Sequence, residues 1–182
     1  MIISMIAAVA ENRVIGNKNT IPWNFPPYKM AADFKYFKET TFGKTIVMGL
    51  NTFNSIGGKP LPGRKHIILN NDLNYVAPED CVIAHSIEEV LELGKDLTAQ
   101  AGVDELMICG GASVYKQFLP LSRKLYLTYV HVSPEGDTYF PEVNLAEWKE
   151  MSREDFKADD PSTDSGQVNN SFDYSFVILE RI

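Results

Sequence analysis

The chain has 182 residues, 45% hydrophobic and 23% charged, which suits one globular domain with a sizeable core. A formal net charge of −7 and a pI near 5.0 argue against a general nucleic-acid or anionic-membrane binder, since either needs a positive surface, while leaving room for a local cationic pocket. The two cysteines, Cys81 and Cys109, form no C-x-x-C, and the three histidines, His66, His85 and His131, stand far apart, which argues against a disulfide framework, a zinc site and metal catalysis. Met1-Ile2-Ile3-Ser4 has no basic leader and no apolar run is long enough to span a bilayer, so a cytoplasmic protein is expected.

Ile2 to Ala10 is a near-continuous apolar run, the pattern of a strand buried on both faces. Ile21-Pro22-Trp23-Asn24-Phe25-Pro26-Pro27 is too rich in proline for helix. Met30 to Glu39 predicts the first helix, with Met30, Phe34 and Phe37 on its apolar stripe. Asp33 lies one turn before Phe37, on or beside that stripe. An unpaired carboxylate near apolar side chains is costly and persists mostly where it caps, pairs or does chemistry; a surface aspartate that only looks inward is the alternative. The aromatic loop followed by a lone helical carboxylate suggests a wall and an anchor for a flat polar ligand.

Thr45–Met48, His66–Leu69, Cys81–Ala84, Leu106–Cys109 and Leu125–Val130 read as strands. Between them fall a short helix at Asn51–Ile56, one opened by a Ser86-x-x-Glu89 capping box and running to about Leu97, and one at Ala112–Phe118. This alternation predicts an α/β fold with a mostly parallel sheet and flanking helices. Trp148–Phe156 and the period-two Phe172–Leu179 predict an antiparallel C-terminal hairpin at one sheet edge, joined by a long mobile loop over Ala158–Ser171. No interdomain linker is visible, so one domain over 1–182 is expected.

Two strand-to-helix junctions carry glycine where an anion site needs it: Met48-Gly49-Leu50-Asn51-Thr52 and Cys109-Gly110-Gly111-Ala112-Ser113. Either alone is an ordinary turn; together they favour a dinucleotide along the strands' carboxyl edge. Arg64 can clamp a carboxylate bidentately or be a surface cation. Thr128, mid-strand, can bond a neighbouring carboxylate, and Asp137 lies in a Gly136-Asp137-Thr138 turn.

In order along the chain, Asn12-Arg13-Val14-Ile15-Gly16, Ile21-Pro22-Trp23-Asn24, Asp33 with Phe37-Lys38, Val47-Met48-Gly49, Pro60-Leu61-Pro62-Gly63-Arg64, Gly110-Gly111-Ala112 with Val114-Tyr115, Leu125-Tyr126-Leu127-Thr128 and Glu135-Gly136-Asp137-Thr138 resemble bacterial-type dihydrofolate reductases over nearly the whole length. The resemblance implies a central eight-stranded, mostly parallel sheet. It also implies NADPH-dependent reduction of 7,8-dihydrofolate to tetrahydrofolate by a monomer, with hydride passing to pterin C6 and a proton to N5, feeding one-carbon and thymidylate metabolism.

By the same resemblance, Asp33 anchors the pterin and Thr128 supports its carboxylate; Trp23 and Tyr115 complete the catalytic set. Ile6 and Ala7 offer backbone contacts to the substrate. Phe37, Ile56 and Leu61 form its apolar slot, Lys38 is a further substrate-binding residue, and Arg64 holds the glutamate α-carboxylate. Ala8, Ile15, Gly16, Asn19, Thr20 and Tyr115 fall near the nicotinamide, the loop from Gly16 to Ile21 closing over the ring with Asp137 as its latch. Gly49, Leu50, Asn51 and Thr52 meet the cofactor at one junction; Gly110, Gly111, Ala112, Ser113 and Val114 meet it at the other, across a cis Gly110–Gly111 bond. Leu69, Asn70, Asn71 and His85 lie toward the adenosine end.

The departures concern that end. Leu50 and Asn51 stand where the family commonly has Arg and His, Asn70-Asn71-Asp72 follow the strand where Ser or Arg is frequent, and Ser113 replaces a frequent cation. The positive pocket for a 2′-phosphate is thin, His85 remains as a contact, and NADH becomes a second candidate cofactor. Pro27–Ala31 holds about five residues more than the family's usual run between the Trp23-Asn24 loop and the helical Asp33. Two rivals stand beside this reading: a reductase of a related pyrimidine or pterin, which Asp33, Phe37 and Arg64 oppose, and a nucleotide-binding module without catalysis, which Trp23, Asp33 and Thr128 oppose.

Overall fold

The structure, a computed structural model, describes residues 1–24, 27–160 and 169–182. Ten strands and four α-helices follow in the order β1 (Ile2–Ala10), β2 (Val14–Gly16), α1 (Ala31–Thr41), β3 (Thr45–Gly49), α2 (Leu50–Ser55), β4 (Lys65–Leu69), β5 (Cys81–Ala84), α3 (Ile87–Gln100), β6 (Glu105–Ile108), α4 (Ala112–Phe118), β7 (Lys124–Val130), β8 (Thr138–Tyr139), β9 (Trp148–Phe156) and β10 (Tyr174–Arg181). Eight strands form one sheet in the order β5-β4-β3-β6-β1-β7-β10-β9. The β4–β5, β3–β4, β3–β6 and β1–β6 pairs are parallel and the β9–β10 pair is antiparallel, as the apolar runs and the terminal hairpin pattern predict. The chain divides into two compact units, Met1–Ile6 with Thr40–Lys124, and Ala7–Glu39 with Leu125–Ile182.

In the first unit, Ile46, Val47, Ile67, Ile68, Leu106 and Ile108 are wholly buried, the signature of parallel strands covered on both faces. Helix α3 lies close against β6: a Cβ added at Gly94 would meet the Leu106 side chain at 2.6 Å, so glycine here serves close packing. Ser86 caps α3 by accepting the Glu89 N–H at 3.1 Å. Only half of the expected capping box forms, because the Glu89 carboxylate takes the His85 N–H at 2.7 Å.

In the second unit the core gathers Ala10, Val14, Trp23, Met30, Val130 and Tyr174. The described part of the proline-rich segment holds a 3-10 turn at Pro22–Asn24, a tighter structure than an α-helix and one that tolerates Pro22 at its start. The apolar stripe of α1 needs correction. Phe34 is 55% exposed, whereas Met30 is buried and Tyr36 stacks on Phe176 with centroids 4.2 Å apart. The helix therefore turns its Met30, Asp33 and Tyr36 side inward, a spacing of three that suits the face as well as the one expected. A small antiparallel pair that the sequence does not announce, β2 with β8, joins Val14 to Tyr139 and Gly16 to Thr138. The hairpin β9–β10 has the expected strands, with a register shift between Ile178 and Leu179. Pro161–Val168 of its expected mobile loop lie outside the described residues.

Candidate active site

In the second unit, α1 carries Asp33 inward and β7 brings up Thr128, both buried, at 9% and 1% exposure. The Thr128 hydroxyl donates to the Asp33 carboxylate, and burial outweighs that bond, pushing the carboxyl up from 3.8 to about 6. A buried carboxyl held up at about 6 fits proton-coupled chemistry. Trp23 is 1% exposed, and its indole Nε1 has no hydrogen-bond partner among the described residues. A buried N–H in that state is costly unless a bound molecule takes it up. Phe37 is half-buried, Lys38 exposed, and Ala7 and Ala8 lie on β1.

Ile15 and Gly16 lie in β2, and the chain then folds back through a tight turn. Asn17 and Thr20 exchange backbone bonds at 2.9 and 3.0 Å, with Lys18 and Asn19 at φ of 49° and 61°. Asp137 holds this turn: its Oδ2 accepts the Lys18 N–H at 3.0 Å, while its own N–H donates to the Gly16 carbonyl at 3.1 Å. The Lys18 amide first, and the Thr138 hydroxyl after it, keep its carboxyl below the usual range.

In the first unit the two glycine junctions meet. Gly49 N–H donates to the Gly110 carbonyl at 2.8 Å, and a Cβ added at Gly111 would meet Thr52 Oγ1 at 2.8 Å. The Gly110–Gly111 bond is cis, as expected. Leu50, Asn51 and Thr52 open α2, and Ala112, Ser113 and Val114 open α4, positions whose amides lack acceptors within their own helix. The Tyr115 hydroxyl donates to the Ile6 carbonyl at 2.6 Å, fixing that carbonyl just past the parallel pairing of β1 with β6.

At the ends of β4 and β5, His85 Nδ1 lies 2.7 Å from the Asn70 carbonyl; since a carbonyl only accepts, Nδ1 carries the hydrogen. Asn70 Nδ2 is buried without a partner among the described residues, a donor available to an anionic or hydroxylated ligand. Leu69 closes β4 beside it. On the far side, Arg64 donates through Nη1 to Thr41 Oγ1 at 3.1 Å and through Nε to the Pro62 carbonyl at 3.2 Å, bonds that orient its guanidinium. Burial lowers the Arg64 pKa. Leu61 N–H donates to His66 Nε2 at 2.9 Å, and Ile56 is 42% exposed. Sequence reasoning missed Thr41 and His66 as supports, since nothing in a helix-end threonine or a strand histidine marks its partner. Among the described residues no group of three or more His, Cys, Asp or Glu is placed to hold a metal, and no helix is long and apolar enough to cross a membrane.

The family profile for dihydrofolate reductase matches residues 2–181. The dihydrofolate reductase of Staphylococcus haemolyticus is 41% identical over 99% of this chain and 96% of its own length. The type 3 enzyme of Salmonella typhimurium is 40% identical over 100% of this chain and 99% of its own. The structure of the Enterococcus faecalis dihydrofolate reductase, complexed with NADP(H) and RAB-propyl, superposes with a TM-score of 0.82 at 31% identity, covering 99% of this chain and 96% of that one. With a match from end to end and a structure of the same architecture, the chain belongs to the dihydrofolate reductase family.

Proposed function

We infer that the protein reduces 7,8-dihydrofolate to 5,6,7,8-tetrahydrofolate with NADPH, acting through one reductase domain that spans both compact units. The observation that carries this is the Asp33 carboxylate, buried and bonded to Thr128. A pterin offers an amide-like N–H and an exocyclic amine on one edge, and a carboxylate accepts both. Trp23 Nε1 and the Ile6 and Ala7 backbone add polar contacts around the same ring. Phe37, Ile56 and Leu61 serve the apolar part of the substrate, and Lys38 and Arg64 its carboxylates. The guanidinium held by Thr41 and Pro62 favours a fixed, bidentate grip.

The chain fits the dinucleotide on its own features. A side chain at Gly111 would strike Thr52, so glycine lets the two strand-to-helix junctions pack together, and Asn70 Nδ2 is a buried donor awaiting an acceptor. NADPH supplies the hydride. Ala8, Ile15, Gly16, Asn19, Thr20 and Tyr115 serve its nicotinamide end; Gly49 to Thr52 and Gly110 to Val114 serve its phosphates; Leu69, Asn70, Asn71 and His85 serve its adenosine. The protein's own task is to orient both rings and exclude water while N5 gains its proton. NADH is the second cofactor candidate.

Oxidation of NADPH followed by absorbance, dependent on dihydrofolate, tests the function. A rate with a ribosylaminopyrimidine and none with dihydrofolate would move the chain to the related pyrimidine reductases; binding of both ligands without turnover would make it a binding module. A monomeric state and a cytoplasmic location are proposed with it, and sedimentation and cell fractionation check them.

A further inference from the structure

Helix α1 starts without a capping side chain of its own. Met30 directly precedes Ala31, the first helical residue, and a thioether cannot accept as Ser, Thr, Asp or Asn would. The opening amides of a helix have no acceptor within it. Here they find acceptors far along the chain. Ala31 N–H donates to the Asn169 carbonyl at 2.9 Å. Ala32 N–H donates to Asn170 Oδ1 at 2.9 Å, across 138 positions of sequence. Lys29 N–H donates to Ser171 Oγ at 2.9 Å, and Ser171 N–H returns a bond to the Lys29 carbonyl at 2.8 Å. Met30 and Asn170 form an isolated antiparallel bridge.

The capping turn is itself held. Asp159 Oδ2 accepts the N–H groups of Asn169 and Asn170 at 2.8 and 3.0 Å, and Asp159 N–H donates to the Asn170 carbonyl at 2.9 Å. Tyr28 and Phe172 pack beside it with centroids 5.1 Å apart. Asn170 thus caps α1 in place of the missing local residue.

Asp33 is the third residue of α1. A carboxylate at that position ordinarily turns back onto the amides that open the helix, where both hydrogen bonds and the dipole favour it. In this chain Ala31 and Ala32 are already served, and the Asp33 carboxylate accepts from Thr128 on the sheet. We propose that Asn170 is a positioning residue for Asp33, capping α1 from the C-terminal hairpin so that the carboxylate stays directed to Thr128 and the substrate. This rests on Asp33 being the pterin anchor.

Wild type, Asn170→Ala, Asn170→Ser, Asn170→Thr and Asp33→Asn are compared by steady-state kinetics across pH and by 13C titration of the Asp33 carboxyl. Asn170→Ala should lower kcat/KM for dihydrofolate three- to tenfold and leave the Kd for NADPH within twofold. Its Asp33 carboxyl should titrate at lower pH than in wild type, because the unserved Ala32 amide competes for the carboxylate. Asn170→Ser keeps an acceptor and should recover most of the loss. If Asn170→Ala does not fold, the order wild type, Ser, Thr in falling kcat/KM supports the assignment, and equal values overturn it. Variants that lose thermal stability but keep the wild-type kcat/KM and carboxyl titration overturn it as well, leaving Asn170 a loop anchor only. Full activity of Asp33→Asn at neutral pH would instead overturn the anchor role of Asp33, and this positioning role with it.

Discussion

Burial ties the Asp33 proton to the stability of the fold and, in the role proposed for it, to turnover. Burial holds its carboxyl up at about 6, against 3.8 when free. Between those values the folded protein binds a proton that the unfolded chain has released. Stability therefore falls as pH rises from about 4 to about 6 and is level above, with the carboxylate costing on the order of 3 kcal/mol at neutral pH. Asp33→Asn removes the charge and keeps an oxygen for Thr128. Urea unfolding should find it more stable than wild type at pH 7 by roughly 1–3 kcal/mol and nearly unchanged at pH 4. The same variant should keep part of its ligand binding and lose about a hundredfold or more in turnover at pH 7. Equal stabilities at both pH values would mean that the Asp33 carboxylate is not desolvated. Arg64 makes the complementary point: its orientation depends on Thr41. Thr41→Val should raise KM for dihydrofolate several-fold with kcat little changed, as expected for lost uniform binding.

At the scale of elements, the turn after β2 is held from outside by Asp137. Lys18 and Asn19 both adopt left-handed conformations, unfavourable for residues with a Cβ, so the turn depends on such external bonds. Asp137→Ala should speed hydrogen exchange of the Lys18 amide at least threefold and lower kcat; Asp137→Asn, which keeps an acceptor, should do less. Since the Asp137 carboxyl is held below the usual range, acid weakens the latch only as pH falls through that depressed value. In α3, Gly94→Ala sets two effects against each other. Alanine gains about 1 kcal/mol of helix propensity, but its methyl would meet the Leu106 side chain at 2.6 Å, and overpacking of this kind costs about 1–3 kcal/mol. A net loss of stability in thermal unfolding is expected, and a gain would mean that α3 moves away from β6 without penalty.

Across the whole molecule, an acidic balance goes with a thin cationic lining at the proposed cofactor site. Leu50, Asn51, Asn70, Asn71, Asp72 and Ser113 put no cation at the carboxyl ends of β3, β4 and β6, and His85 follows β5 with Nδ1 given to Asn70. One charged hydrogen bond is worth about 1.5–3 kcal/mol. Lacking more than one, the enzyme should prefer NADPH over NADH by no more than about tenfold to a hundredfold in kcat/KM. His85→Lys should widen that ratio and His85→Ala narrow it. A preference of many orders of magnitude, unchanged in His85→Ala, would assign selectivity to other residues.

The linear chain was enough for the eight strands of the main sheet, the helices α2 to α4, the terminal hairpin and the family itself, because these depend on local periodicity, glycine at strand ends and motifs whose order survives along the sequence. It also marked Asp33, Thr128, Arg64 and the two glycine junctions as residue types. Which side of α1 turns inward was decided by packing, where Tyr36 on Phe176 and the buried Met30 overrode the stripe through Phe34. Likewise the β2–β8 pair, the Thr41 brace on Arg64 and the Asn170 cap on α1 join residues far apart in sequence by single hydrogen bonds or short bridges. Such bonds have no period and no spacing, since any Asn in a polar loop is compatible with them, and only the folded backbone selects the partner.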